Sequence, residues 1–162
     1  MKIAVISDSH DNIWKLDQAM ETLRQAAAVL HCGDLCAPFM VRRLGESLGD
    51  IPIHIIWGNN EGDPYLIGKM AEAYPRVHLH GPFVELELDG LRVAMIHYPQ
   101  IARGLALSGL YDVVCYGHNH QAKAEKVGDC LLLNPGELMG MNGPSMMALL
   151  DSETRQAEHL EI

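Results

Sequence analysis

The chain has 162 residues, of which 48% are hydrophobic and 20% are charged, and its formal net charge is −9 at pH 7. This composition is typical of a globular domain and argues against a disordered or low-complexity chain. With only 12 Lys and Arg residues and no basic stripe, the chain is also a poor candidate for binding duplex nucleic acid, whose phosphates are neutralised by many cationic side chains.

The hydrophobic segments of the chain are short. The first, residues 2–6, stops at Ser7 and is too short for a signal-peptide core. No stretch approaches the roughly 20 apolar residues that a membrane span needs. The four cysteines form no dense disulfide framework, which favours a reducing compartment. We therefore expect a single domain over residues 1–162 that lies in the cytoplasm and has no membrane partner.

The first half of the chain alternates between strand and helix patterns, as the crossover units of a parallel sheet do. Apolar residues recur at helical spacing over 13–27, and Pro38 suits the first turn of a second helix, because its missing N–H would be unpaired there anyway. The predicted elements are strand 2–7, helix 13–27, strand 28–31, helix 38–48, strand 53–57 and helix 64–74.

From residue 82 onward the pattern changes to hairpins. Asp89-Gly90 lies between two strand-like runs and is a strong signal for a two-residue hairpin turn. A parallel first half and a hairpin-rich second half predict an α/β fold of two packed sheets with helices outside. The predicted elements are strands 82–88 and 91–97, helix 101–107, strands 112–116, 122–127 and 130–134, and a closing hairpin of 145–151 and 154–160.

Polar side chains follow the predicted strands at their carboxyl ends, where α/β sheets bind ligands. Each motif alone has a structural explanation, such as a helix cap or a turn. Five strand ends that all carry Asp, Asn or His instead favour a site for borderline divalent metals, and seven donors favour two ions over one tetrahedral zinc. The candidate ligands are Asp8, His10, Asp34, Asn59, His97, His118 and His120.

The order of these motifs resembles the calcineurin-like metallophosphoesterase superfamily. The short chain, and Asn-Pro-Gly at 134–136, resemble its small bacterial and archaeal phosphodiesterase branch, whose scaffold the sorting-complex subunit Vps29 shares. The resemblance covers nearly the whole chain and implies a four-layered α/β/β/α sandwich of two mixed sheets with outer helices. The motifs that carry it are D-x-H at 8–10, G-D at 33–34, G-N-N-E at 58–61, His97 and G-H-x-H at 117–120.

The resemblance also implies how the ligands divide between two divalent ions. Manganese is the first expectation, and nickel, iron, cobalt or zinc would suit the same donors. Two such ions can bind a phosphoryl oxygen and generate a bridging hydroxide that attacks the ester in line, so the bridging ligand Asp34 would position the nucleophile. Asp8, His10, Asp34 and His120 would hold one ion, and Asp34, Asn59, His97 and His118 the other.

Two positions depart from the broad family. Asn60 stands where many relatives have a histidine that contacts phosphate or protonates the leaving group, and Tyr98-Pro99 follow His97 where relatives usually have Gly-His. Asparagine can donate a hydrogen bond but cannot supply a proton, and general acid catalysis is worth about 10²–10⁴-fold. We expect Asn60 to contact phosphate in place of that histidine, which the small branch often lacks too.

These features predict a phosphodiesterase that acts on small phosphodiesters. A phosphomonoester carries about two negative charges and gains from Arg or Lys contacts, which none of the motifs provides, whereas a diester carries one. The alternatives are a Vps29-like metal-binding scaffold for protein interaction, with weak or no activity, and a phosphomonoesterase. A homo-oligomer, supported by apolar residues of the hairpins, is a further expectation, and the role of Glu137 stays open.

Overall fold

The computed structural model describes residues 1–162 and contains four helices and eleven strands. The helices are α1 (Ile13–Leu23), α2 (Pro38–Leu48), α3 (Pro64–Ala71) and α4 (Pro99–Leu107). The strands are β1 (Lys2–Ile6), β2 (Ala28–His31), β3 (Ile53–Ile55), β4 (Val77–Leu79), β5 (Phe83–Leu88), β6 (Leu91–Ile96), β7 (Val113–Cys115), β8 (Lys123–Val127), β9 (Cys130–Asn134), β10 (Met146–Asp151) and β11 (Gln156–Glu161).

The strands form two mixed sheets. The six-stranded sheet has the order β11-β10-β1-β2-β3-β4, in which β1 to β4 pair in parallel and β10 and β11 are antiparallel. The five-stranded sheet has the order β5-β6-β7-β9-β8, in which β6, β7 and β9 are parallel and the two outer strands are antiparallel. The predicted α/β fold of two mixed sheets is therefore confirmed.

Three hydrophobic cores join the four layers. One lies between the six-stranded sheet and α1, α2 and α3, a second lies between the two sheets, and a third lies beneath α4 on the outer face of the five-stranded sheet. In β1, Ala4 and Ile6 belong to the first core, whereas Ile3 and Val5 belong to the second. The strand is apolar on every residue after Lys2 because both of its faces are buried.

The element boundaries correct the sequence prediction in several places. The first helix ends at Leu23 rather than at residue 27, because the chain turns there and the N–H of Ala27 already donates to Lys2 O beside β1. The third helix ends at Ala71 rather than at residue 74. The sequence prediction missed β4, in which only Val77 and Leu79 are apolar, whereas β3 and β7, which also have three residues, lie in longer apolar runs. The remaining boundaries differ by two residues at most.

The parallel strands of both sheets send their connecting loops to one end of the sandwich. No helix of the chain is long and apolar enough to cross a membrane. The organisation of residues 1–162 as a single domain stays a prediction.

Candidate metal centre

Five loops, which follow β1, β2, β3, β6 and β7, meet at one end of the two sheets. The N–H of Asp8 donates to Gly33 O at 3.0 Å, and the N–H of Gly117 donates to His97 O at 3.1 Å. The N–H of His118 donates to Asp8 Oδ2 at 3.1 Å, across 110 positions of sequence. These contacts join the two sheets at the edge where the seven predicted ligands lie.

The first cluster of potential ligands contains Asp8, His10 and His120. Asp8 is fully buried, and His120 Nε2 lies 3.2 Å from its Oδ1. His10 Nε2 lies 3.8 Å from the same oxygen and is a buried atom without a hydrogen-bond partner. Because an unsatisfied buried polar atom costs about 1–3 kcal/mol, this nitrogen fits a position that is completed by an ion.

The second cluster contains Asp8, Asp34 and His97, and all three residues are buried. His97 Nδ1 lies 2.7 Å from Cys32 O, so this ring nitrogen carries the proton and donates. In the neutral ring the other nitrogen, Nε2, is then an acceptor, yet it faces Asn59 Oδ1 at 3.1 Å and Asp34 Oδ2 at 3.5 Å. Acceptors from three residues converge on one position, which is the environment of a cation.

The Asp34 carboxylate lies between the two clusters. Its Oδ1 accepts the backbone N–H groups of Asn59 at 2.7 Å and Asn60 at 2.8 Å, which fix the carboxylate in place. Its Oδ2 lies 3.5 Å from His10 Nε2 and 3.5 Å from His97 Nε2. This equal separation suits a bridging ligand. Asp8 also belongs to both clusters, whereas the sequence assignment gave it to one ion only.

The electrostatics of the centre strongly favour positive charge. The nearby Asp8 carboxylate raises the pKa of His10 from 6.5 to about 10. Burial by itself would raise the pKa of Asp34, but hydrogen bonding and attraction to His97, in the state in which both ring nitrogens of His97 carry protons, outweigh burial, and the net pKa of that carboxyl is lowered. Metal ions compete with protons for such groups, so a centre that attracts protons this strongly also attracts divalent ions.

Asn59 and His118 lie on the solvent side of the centre, and both are exposed. His118 Nδ1 lies 2.8 Å from Asn59 Oδ1, and the ring of Tyr98 packs edge-on against the His118 ring at 5.1 Å. His118 belongs to neither compact cluster of carboxylates and imidazoles. Tyr98, which packs against His118, forms a wall of the centre next to its open side.

Asn60, the predicted phosphate contact, is hydrogen-bonded to the protein. Its Nδ2 donates to Asp34 Oδ2 at 3.1 Å, and its side chain is at the exposed edge of the centre. A phosphate contact would require this amide to exchange its partner, so the role remains a prediction.

The backbone around the ligands is held in an unusual conformation. The φ angles of Asp8, His10, Asp34, His118 and His120 are all positive, between 37° and 73°. Non-glycine residues in this region cost of order 1–3 kcal/mol each and cluster at functional sites.

Glycines before the ligands allow the loops to approach one another closely. A Cβ at Gly58 would lie 2.0 Å from Asp34 Oδ1, and a Cβ at Gly117 would lie 2.6 Å from Asp8 Oδ2. The absence of a side chain at Gly58 therefore makes room for the carboxylate of the predicted ligand Asp34.

Three residues outside the predicted ligand set lie beside the centre. Glu61 Oε1 accepts the N–H of Asp34 at 3.0 Å, and Glu137 Oε2 lies 2.5 Å from His120 Nδ1. His31 lies outside both clusters, and burial lowers its pKa to about 4, so it is a neutral structural residue beside Ser9. The only sequence signals for the two glutamates are their positions next to G-N-N and N-P-G.

Comparisons with known proteins identify the family. The sequence pattern of the calcineurin-like phosphoesterase superfamily domain matches residues 1–155. The chain belongs to this superfamily. A phosphodiesterase of Methanocaldococcus jannaschii is 33% identical over 161 residues, and the alignment covers 96% of each chain. The solved structure of an archaeal phosphodiesterase matches with a TM-score of 0.91 at 29% identity and covers 100% of both chains.

More distant calcineurin-like relatives share the fold. A Vps29 of Entamoeba histolytica, solved as a complex with Zn²⁺, matches with a TM-score of 0.69 at 17% identity and covers 99% of both chains. The resemblance to this superfamily and to its small phosphodiesterase branch, drawn from the motifs, is confirmed.

The two clusters of this calcineurin-like chain fit divalent metal ions. They combine carboxylate oxygens with imidazole nitrogens, the donors that suit borderline divalent ions. They also contain an unpartnered His10 Nε2 and the convergent acceptors at His97.

Proposed function

We propose that this calcineurin-like protein is a phosphodiesterase that requires two divalent metal ions and hydrolyses small phosphodiesters. The observation that carries the proposal is the convergence of His97 Nε2, Asn59 Oδ1 and Asp34 Oδ2 on one position, where none of these three atoms can donate a proton to another when the neutral His97 ring carries its proton on Nδ1. Acceptors that face one another in this way are satisfied by a cation. The names of the M. jannaschii relative and of the archaeal structure support the same activity.

We assign the seven predicted ligands to the two ions as the family resemblance implies. Asp8, His10 and His120 would hold one ion, and His97, Asn59 and His118 the other, with Asp34 as the bridge. Manganese is the first candidate, and nickel, iron, cobalt or zinc suit the same donors. When bound, the ions would bind a phosphoryl oxygen and lower the pKa of the attacking water.

The protein's own contribution to the reaction is to fix and orient these groups. The Cys32 carbonyl holds the His97 ring with Nε2 directed into the centre, and two backbone N–H groups hold Asp34. Groups that are placed in advance need no reorganisation during the reaction, which is a large part of electrostatic catalysis.

The charge of the centre supports a diester as the substrate. Every ion pair at the centre joins a histidine to a carboxylate, and none includes Lys or Arg. The second negative charge of a monoester would therefore gain no bidentate contact from the chain. Because the Asn60 amide cannot supply a proton, diesters with good leaving groups should be the better substrates.

A Vps29-like scaffold is the alternative function. A scaffold that only binds proteins needs no complete ligand set, and here all seven positions carry side chains with metal-binding atoms. The complete set favours an enzyme. We also propose a cytoplasmic location, from the cysteine composition, and a homo-oligomer stays a prediction.

The test compares an aryl phosphodiester with the matching aryl phosphomonoester under Mn²⁺. We expect faster turnover of the diester, loss of activity with a chelator, and no metal-dependent activity in Asp34→Ala. Faster turnover of the monoester would contradict the substrate class. Full activity of Asp34→Ala with bound metal would contradict the bridge.

A further inference from the structure

A buried carboxylate lies behind one of the histidines of the centre. Glu137 is only 1% exposed, and its Oε2 lies 2.5 Å from His120 Nδ1. Its Oε1 accepts the backbone N–H groups of Asn142 at 2.5 Å and Gly143 at 2.9 Å. A buried carboxylate carries a desolvation penalty of several kcal/mol unless it is paired and hydrogen-bonded, and both oxygens of Glu137 meet this condition.

The contact with Glu137 determines which nitrogen of His120 carries the proton. Asn142 Nδ2 also lies near His120 Nδ1, at 3.0 Å, and it lies 3.3 Å from Glu137 Oε2. An ionised carboxylate only accepts, so the short contact requires the proton on His120 Nδ1, and the Asn142 amide then donates to Glu137. The lone pair of His120 Nε2 is left directed towards Asp8 Oδ1, 3.2 Å away.

His97, the buried histidine of the centre, is supported differently. His97 Nδ1 donates to a neutral carbonyl, that of Cys32, whereas His120 Nδ1 donates to a carboxylate. A hydrogen bond to an ionised group is roughly twice as strong as a neutral one, and a carboxylate behind an imidazole makes the ring a better metal ligand. The two clusters therefore differ in the group that accepts the Nδ1–H of their histidine: a carboxylate for His120 and a carbonyl for His97.

We propose that Glu137 is a positioning residue, which fixes the Nδ1–H tautomer of His120 and thereby strengthens metal binding at the position formed by Asp8, His10 and His120. The inference rests on the proposed metal centre. Loss of such a partner typically weakens metal binding by about 10–100-fold.

Glu137→Gln tests the tautomer directly because its shape is unchanged. Its amide oxygen can still accept from Asn142 and Gly143, which turns the amide NH₂ towards His120 Nδ1. That NH₂ donates, so Nδ1 must accept and the ring proton moves to Nε2, where it blocks the lone pair. Glu137→Asp keeps the carboxylate and should recover part of the metal affinity.

Nitrogen NMR of ¹⁵N-histidine-labelled, metal-free protein reads the tautomer without any activity measurement. We expect the proton of His120 on Nδ1 in the wild type and in Asn142→Ala, and on Nε2 in Glu137→Gln. The same tautomer in the wild type and Glu137→Gln would overturn the proposal. Urea denaturation of each variant establishes that it is folded.

Competition of Co²⁺ binding against a chelator measures the second consequence. We expect one binding step to weaken by about 10–100-fold in Glu137→Gln while the other is unchanged. Ser145→Ala is the matched control, because Ser145 Oγ donates to Leu138 O in the same loop without contacting a ligand, and both steps should keep their wild-type affinity.

The outcomes separate this inference from the proposed function. Equal Co²⁺ affinities in the wild type and Glu137→Gln would overturn the role of Glu137 and leave the metal centre intact. A wild-type chain that binds no divalent metal would overturn both. Equal losses in Glu137→Gln and Ser145→Ala would show that the loop acts only as a structural support.

Discussion

Replacement of Gly58 by alanine is expected to displace the Asp34 carboxylate. A Cβ at this position would lie 2.0 Å from Asp34 Oδ1 and 2.7 Å from the Asp34 backbone nitrogen. Favourable contact between heavy atoms begins near about 3.5 Å, so the carboxylate or the loop must move by more than about 1 Å. The φ angle of Gly58 is not positive, and the expected effect therefore comes from the added methyl group rather than from backbone strain.

The magnitude follows from the hydrogen bonds that hold Asp34 Oδ1. The oxygen accepts the N–H groups of Asn59 and Asn60 at 2.7 and 2.8 Å, and it cannot move away from a new methyl group without weakening both. Hydrogen bonds to a charged group contribute about 1.5–3 kcal/mol each. With partial relaxation of the loop, we expect the free energy of unfolding of the metal-free chain to fall by about 3 kcal/mol. A misplacement of about 1 Å should lower kcat/KM by about 10²-fold.

Gly62→Ala is the matched control in the same loop. A Cβ there would meet only Cys36 O, at 3.3 Å, and Gly62 also has no positive φ. Urea denaturation of the metal-free chains, together with Mn²⁺-dependent hydrolysis of an aryl phosphodiester, measures both effects. We expect Gly62→Ala to lose less than about 1 kcal/mol. If Gly58→Ala were as stable and as active as Gly62→Ala, the reasoning that the glycine makes room for Asp34 would be wrong.

Three further perturbations test other parts of the structure. If the centre lacks a proton donor, Asn60→His should raise turnover of diesters with poor leaving groups by up to about 10²-fold. An unchanged rate with normal metal content would show that residue 60 has only a structural role. Mn²⁺ at 100 times its dissociation constant should raise the free energy of unfolding by about 2.7 kcal/mol per ion. This corresponds to a rise in Tm of about 5–10 °C per ion, and an unchanged Tm would contradict metal binding. Burial and the neighbouring His80 and His78 lower the pKa of His54 from 6.5 to about 4. The unfolded chain therefore takes up this proton first, and stability should fall by about 1–2 kcal/mol as the pH falls from about 6.5 to 4, after allowance for solvent screening. His54→Leu should remove this part of the pH dependence in urea denaturation, and an identical pH dependence would refute the assignment.

The fold and the candidate ligands could be predicted from local patterns. Each ligand follows an apolar strand. The carboxyl ends of parallel strands lie at the same end of a sheet, so the order of strands and ligands in the sequence indicates that the ligands lie close together. The strand β4, Val77–Leu79, could not be predicted in this way, because it is short and, unlike β3 and β7, does not lie in a longer apolar run. Its place at the edge of the sheet depends on pairing with β3, which is a contact between distant parts of the chain.

The roles of residues that position a ligand, rather than serve as one, also could not be predicted from the sequence. Glu137 lies 17 positions from His120 in the chain, and Gly58 acts on a carboxylate 24 positions away. Neither spacing belongs to a local period, and a Glu or a Gly at a loop has several ordinary explanations. Their roles follow from the distances between side chains once the loops are in place.

Several features of the centre are unfavourable by themselves, and divalent ions would relieve them. The backbone of Asp8, His10, Asp34 and two further histidines has positive φ, and His10 Nε2 is buried without a partner. Such strain persists only where the surrounding structure imposes it, and here the two sheets and their loops impose it through contacts such as those of Gly58 and Gly117. An ion bound to the ligands gains from a geometry whose cost is already offset by the packing of the three hydrophobic cores. The rigid sandwich therefore supports the proposed metal binding, because it holds the carboxylates and the other acceptor groups close together in the positions that a metal ion would require.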